Sequence, residues 1–76
     1  MRARFHLTLP KHLADEPVIF RLGKEFDVVT NITRASVEDR FAWVILEMEG
    51  EEDAVTRAVA WLAEQGVEVE RIGEGE

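Results

Sequence analysis

No cysteine occurs among the 76 residues, which excludes disulfide bonds, thiolate metal sites, cysteine nucleophiles and any iron–sulfur cluster held by this chain itself. A reducing cytoplasm is the default expectation for its location. No apolar run approaches the roughly 18 to 20 residues that a membrane-spanning helix needs, so direct membrane insertion is not expected. The start MRARFHLTLPKHLADEP alternates and then turns polar instead of building a signal-peptide core, and the mature protein is therefore expected to be the whole chain. Basic residues are scarce: nine Lys and Arg stand against sixteen Asp and Glu, a formal charge of −7. Such a surface repels the phosphates of nucleic acid and of anionic lipid. Its simplest role is solubility, because Glu47, Glu49, Glu51, Glu52, Asp53, Glu68 and Glu70 fall where helices and strand ends meet water. A glycine-rich phosphate loop and a Walker A sequence are lacking as well.

Length adds one more limit. A domain of 76 residues buries only about 60 % of the surface its unfolded chain exposes, so a partner that covers more of it adds useful stability.

What is present is hydrophobic period. Arg2 to Leu9 alternates, Phe5, Leu7 and Leu9 against Arg4, His6 and Thr8, and Pro10 closes this strand. The stretch ADEPVIFRLGKEFD offers Asp15 as an N-cap, Glu16 and Pro17 in a first turn, and Val18, Ile19, Leu22 and Phe26 at helical spacing. Val28 to Val37 is rich in β-branched residues, and Glu38-Asp39-Arg40 turns it into a third strand from Phe41 to Glu49. Gly50 ends that strand. A second helix follows with acids in its first turn, Val55, Ala58, Val59 and Leu62 on one stripe, and Gly66 at its C-terminal end. Val67 to Ile72 is the last strand. The order strand, helix, strand, strand, helix, strand, with right-handed crossovers, predicts an α+β fold: the ferredoxin-like βαββαβ sandwich, a four-stranded antiparallel sheet with two helices on one face. One domain over residues 1–73 and a flexible tail at 74–76 are expected.

Phe41 to Leu46 is apolar without alternating, which asks what covers its second side. If Ala42, Val44, Leu46 and Met48 meet the helices, Trp43 and Ile45 lie on the open face, beside His6 or Arg4 and residues such as Ile32; the alternative register puts Phe41, Trp43 and Ile45 in the core. Either way large apolar groups remain at the surface, the mark of a contact site. Ile32, Trp43 and Ile45 are the candidate homodimer interface.

Catalysis finds little support. His6 and His12, read as lying in a strand and in a loop, have no carboxylate or cysteine at ligand spacing, and Ser36 and the threonines have no nucleophile motif. No enzyme activity, metal or cofactor is expected. RFAWVILE has some likeness to the aromatic third-strand motif of RNA-recognition domains, but it lacks the glycine after the basic residue and has Leu46 where a final aromatic belongs. No nucleic acid partner is expected.

The segment TNITRASVEDRFAWVILEMEGEEDAVTRAVAWLAEQGVEVERIG resembles the NIL domain, a ferredoxin-like module at the C-terminus of the ATPase subunit of methionine-import ABC transporters. The matching features are Asn31-Ile32, Phe41 leading into a strand that ends Glu47-Met48-Glu49-Gly50, Ala60-Trp61-Leu62, and Gly66-Val67-Glu68-Val69-Glu70. Thr33 stands where the motif has an aliphatic residue, Ala42 where glycine is usual, and the Glu38 to Arg40 turn is short. The resemblance implies a regulatory domain, here without its ATPase, that pairs with a second copy and senses L-methionine or a related sulfur amino acid. On that reading Asn31 supplies donor and acceptor, Ile32 and Trp43 supply apolar walls, and Arg34 meets a carboxylate. For Asn31 the plain alternative is an ordinary strand-start or turn residue. The competing function is a protein-interaction adaptor that docks through its open sheet face on a separately encoded methionine transporter or sulfur-assimilation protein, without a small ligand.

Overall fold

Alternation at the start of the chain becomes a strand with one dry side: Ala3, Phe5, Leu7 and Leu9 are buried, and Arg4, His6, Thr8 and Pro10 between them are half-buried. In the computed structural model, which describes residues 1–14 and 16–74, this is β1 (Arg2–Pro10). It is followed by α1 (Lys11–Ala14), α2 (Val18–Glu25), β2 (Val28–Val37), β3 (Phe41–Gly50), α3 (Glu52–Glu64) and β4 (Glu68–Glu74). The strands form one sheet in the order β2-β3-β1-β4 with every neighbouring pair antiparallel, so the ferredoxin-like α+β sandwich expected from the element order is the fold observed. No helix among the described residues is long and apolar enough to cross a membrane.

The run from Phe41 resolves in one direction. Ala42, Val44, Leu46 and Met48 are buried and sit opposite Leu9, Leu7, Phe5 and Ala3 of β1; directly opposed residues share a face, so these eight form the floor of the core. All of them but Ala42 pack in one cluster with Val18 and Leu22 of α2 and with Ala54, Val55, Ala58 and Leu62 of α3, which Leu13, Val28 and Val67 also join. Val59 is half-buried at its margin. Trp61, also half-buried, closes the seam between the helices: its ring lies 5.8 Å from that of Phe26, and the Arg21 guanidinium stands 5.2 Å from its centroid.

Three stretches differ from the sequence reading. The residues after Pro10, including His12, form the one-turn helix α1 rather than a loop, and Leu13 is buried there as the plug at one end of the core. α2 begins at Val18, with Pro17 at the N-cap position and no side-chain cap. Glu16 precedes a proline, whose ring disfavours helical geometry in the residue before it, so Glu16 and Pro17 stay outside the helix. The expected cap, Asp15, lies outside the described residues. β4 extends to Glu74 past a bulge opposite Arg4/Phe5, so the expected tail at 74–76 gives up its first residue to the sheet; residues 75–76 lie outside the described residues.

Candidate functional site

Since α2 and α3 cover one side of the sheet, the other side is a lattice of side chains set by strand register alone. From one end, its rungs read Val29–Glu49–Arg2, then Asn31–Glu47–Arg4, each triplet running from β2 across β3 to β1. Next come Arg34–Ile45–His6 and Ser36–Trp43–Thr8, with Glu70 beside His6 and Glu68 beside Thr8 on β4. The first two rungs are polar and the next two are built around Ile45 and Trp43. Trp43 stacks on His6 with 5.7 Å between ring centroids and 17° between planes, which keeps both half-buried although nothing lies above them.

The polar end carries charge of alternating sign. Arg4 donates from Nη2 to Oε2 of Glu47 over 2.8 Å, and Arg2 Nη2 stands 3.6 Å from Oε1 of Glu49. Between these pairs and the β2 edge is a depression of about 240 Å³ lined by Arg2, Val29, Asn31, Glu47 and Glu49. It joins a hydrogen-bonding amide, a guanidinium, two carboxylates and one apolar wall, the inventory needed to hold a small zwitterion. Among the described residues no three His, Asp or Glu side chains are grouped to hold a metal ion.

The sequence-predicted residues divide over this surface. Asn31 lines the depression. Trp43 is on the same face two rungs away, about 13 Å along β3 at 3.3 Å per residue, so it forms no wall of a site at Asn31. Arg34 is on the intervening rung, opposite Ile45. Ile32, expected beside Trp43 and Ile45, pairs with Leu46 and therefore lies on the helix side. The cause is a bulge between Ile32 and Arg34, where Thr33 has no opposite number and its Oγ1 donates to Ile45 O over 3.2 Å. One extra residue reverses the parity of everything after it. Arg2, Val29, Glu47 and Glu49 were not foreseen as site residues. Arg-x-Arg on β1 and Glu-x-Glu on β3 were a signal, and only their antiparallel register turns it into facing pairs.

β2 adds a second feature. It is an edge strand of ten residues with Arg34 its single charge, and Val29, Ile32 and Val37 are 69%, 51% and 81% exposed. The helices do not reach Ile32 or Val37 even though both point to the helix side of the sheet.

A family model for the NIL domain matches residues 3–71. Similar curated proteins include the methionine import ATP-binding protein MetN of Pasteurella multocida (strain Pm70), 36% identical over 63 residues that cover 78% of this chain and 18% of that protein. The protein of the same name from Myxococcus xanthus (strain DK1622) is 32% identical over 76 residues, 95% of this chain and 23% of that protein. The chain thus spans about a fifth of the length of these relatives. Among solved structures, the C-terminal domain of an ABC transporter ATP-binding protein from Enterococcus faecalis superposes with a TM-score of 0.82 at 22% identity, covering 96% of this chain and 86% of that one. At that identity the likeness is one of fold.

Proposed function

The chain belongs to the NIL domain family, and from that premise we propose that it is a non-catalytic regulatory domain of methionine transport that senses L-methionine or a related sulfur amino acid as a homodimer. The observation that carries the reading is the position of Asn31, the first of the residues that match the family, in a depression furnished for a zwitterion, within a chain whose relatives are named for methionine import. Its working place is the cytoplasm, where an ATP-binding transporter subunit meets its nucleotide.

The second copy pairs along β2. Support for this comes from a long edge with one charge, no proline and exposed valine and isoleucine, the kind of edge that natural sheets ordinarily cover. An antiparallel strand is its own complement under a two-fold axis, so β2 against β2 of the partner extends the sheet without any further element. The depression at Val29 and Asn31 then adjoins the junction, which lets ligand occupancy bear on the pairing.

Calorimetric titration with L-methionine, D-methionine and norleucine tests the reading. L-Methionine is expected to bind saturably and stereospecifically, and Asn31→Ala to weaken it by about 1 to 3 kcal/mol, the loss of a hydrogen bond to a charged group. Equal weak heats for all three would exclude sensing. That result would favour the adaptor reading, in which Phe41, Trp43 and Ile45 on the open face dock a separately encoded transporter or sulfur-assimilation protein; their uncovered position is what supports it.

A further inference from the structure

We infer that the two ion-paired rungs at the polar end of the open face are the reader of the ligand's charged ends, and that they restrict the site to a free α-amino acid, rejecting the same side chain once its amino group is acylated. The inference rests on the amino-acid-sensing reading above and assigns the recognition to Arg2, Glu47 and Glu49, with Arg4 as a positioning residue.

The geometry gives each group a separate task. Arg4 holds Oε2 of Glu47 at 2.8 Å, which fixes that carboxylate and leaves its Oε1 without a protein partner among the described residues. Glu49 faces Arg2 across 3.6 Å, longer than a hydrogen bond, with 55% and 41% of the two side chains exposed. Exposed pairs of this kind contribute little, so a ligand opens this one at small cost. An ammonium group seated between Glu47 and Glu49 gains two carboxylate acceptors. The carboxylate it carries one carbon away meets the released Arg2 guanidinium and the Asn31 amide, both on the rim of the depression, and the side chain lies along Val29. The exchange conserves charge: two opposite charges enter where two opposite charges were loosely joined. A depression of about 240 Å³ is smaller than the roughly 300 to 1,000 Å³ of sites for drug-sized ligands, which suits one amino acid and not a peptide. An N-acyl group removes the cation and leaves Glu47 and Glu49 facing each other's charge with only a neutral amide between them.

Calorimetry on the full chain decides the matter with L-methionine, N-acetyl-L-methionine and L-methionine amide as probes, and with Glu49→Gln and Arg2→Gln beside the wild type. Acetylation is expected to weaken binding by at least roughly tenfold, the equivalent of one charge-assisted hydrogen bond. Glu49→Gln should lose a similar factor for L-methionine, and Arg2→Gln should lose more for L-methionine than for its amide, which has no carboxylate to meet the guanidinium. Both substitutions are at exposed side chains, and circular dichroism should report an unchanged fold; the acetylated probe tests the wild type and does not depend on that. If L-methionine binds but its acetylated form binds equally well, or Glu49→Gln has no effect, the inference fails and the sensing reading stands. If L-methionine does not bind at all, both fail together.

Discussion

The sheet has two edges, and they are built in opposite ways. β4 has Glu68, Glu70, Arg71 and Glu74 among seven residues and a bulge in its pairing with β1, while β2 has one charge among ten residues and exposes Val29, Ile32 and Val37. Both present a row of unpaired backbone groups to solvent. Both edges carry a bulge, at Thr33 in β2 and opposite Arg4/Phe5 in β4, so the difference between them is charge, which deters another strand from adding to such a row: β4 is guarded and β2 is open. The lesson is that sharing one sheet does not give two edges one role. An acidic domain that uses its surplus carboxylates for solubility has kept them off the strand that carries Asn31, although acids stand just across it at Glu47 and Glu49 on β3.

The comparison breaks most simply by guarding the open edge. Lysines in place of Ile32 and Val37, Ile32→Lys with Val37→Lys, should convert the proposed dimer to a monomer in analytical ultracentrifugation, with at least a roughly hundredfold rise in the dissociation constant, since both partner strands then bring added positive charge to the same junction. Neither side chain belongs to the core, so the melting temperature extrapolated to low protein concentration should hardly change. A double variant that remains dimeric would move the interface away from β2.

The converse experiment removes the guard from β4. Glu68→Val with Glu70→Val leaves its backbone unchanged and strips two of its four charges. Light scattering should then show assemblies larger than the dimer that grow with concentration, with an onset roughly tenfold lower in concentration than for the wild type. If these charges are idle, the two proteins will be indistinguishable.

Legibility in the sequence follows the same division. Period was enough for single elements: β2 was read with its observed limits and the stripe of α3 emerged from apolar spacing, and Leu7, Leu22, Val44 and Leu62 are buried as expected, with Val59 half-buried; for β3 it left two registers, of which the one with Ala42, Val44, Leu46 and Met48 inward is observed. It failed where one residue changes the count. Thr33 reads as an ordinary strand residue, and the bulge it forms sends Ile32 to the helix side. The Arg2–Glu49 and Arg4–Glu47 pairs were hidden for a related reason: period says which residues share a face, whereas which of them are opposite depends on register, a property of two strands and not of one. α1 is too short to show a period at all.

That bulge offers a finer test of the contrast. Ile32 pairs with Leu46 and Arg34 with Ile45, so deleting Thr33 leaves a regular strand in which both registers are kept. Bulges bend and twist an edge and so deter strand addition; the deletion should therefore tighten β2 pairing by several-fold in the same ultracentrifugation assay. The price is the exposed bond from Thr33 Oγ1 to Ile45 O, worth about 1 kcal/mol at most. Weaker association would mean that the twist supplied by the bulge is needed for the partner strand to fit.

The smallest effect is expected where the chain turns into β4. Gly66 has φ +98°, the sole positive value among the described residues, and it closes α3: its N–H donates to Ala63 O and that of Val67 to Leu62 O, each over 3.1 Å, which satisfies carbonyls at the helix end in the Schellman pattern. A side chain there meets no obstacle closer than Leu13 Cδ1 at 3.7 Å, so the penalty for Gly66→Ala is backbone strain and not collision. That strain is about 1 to 2 kcal/mol for a left-handed alanine, seen as a lower denaturant midpoint at unchanged slope. Because the change acts on folding before β4 begins and touches neither edge, the dimer dissociation constant should remain that of the wild type. A Gly66→Ala protein that associates differently at equal folded fraction would show that the direction in which β4 leaves α3 is felt across the sheet at β2, and the two edges would then no longer be independent.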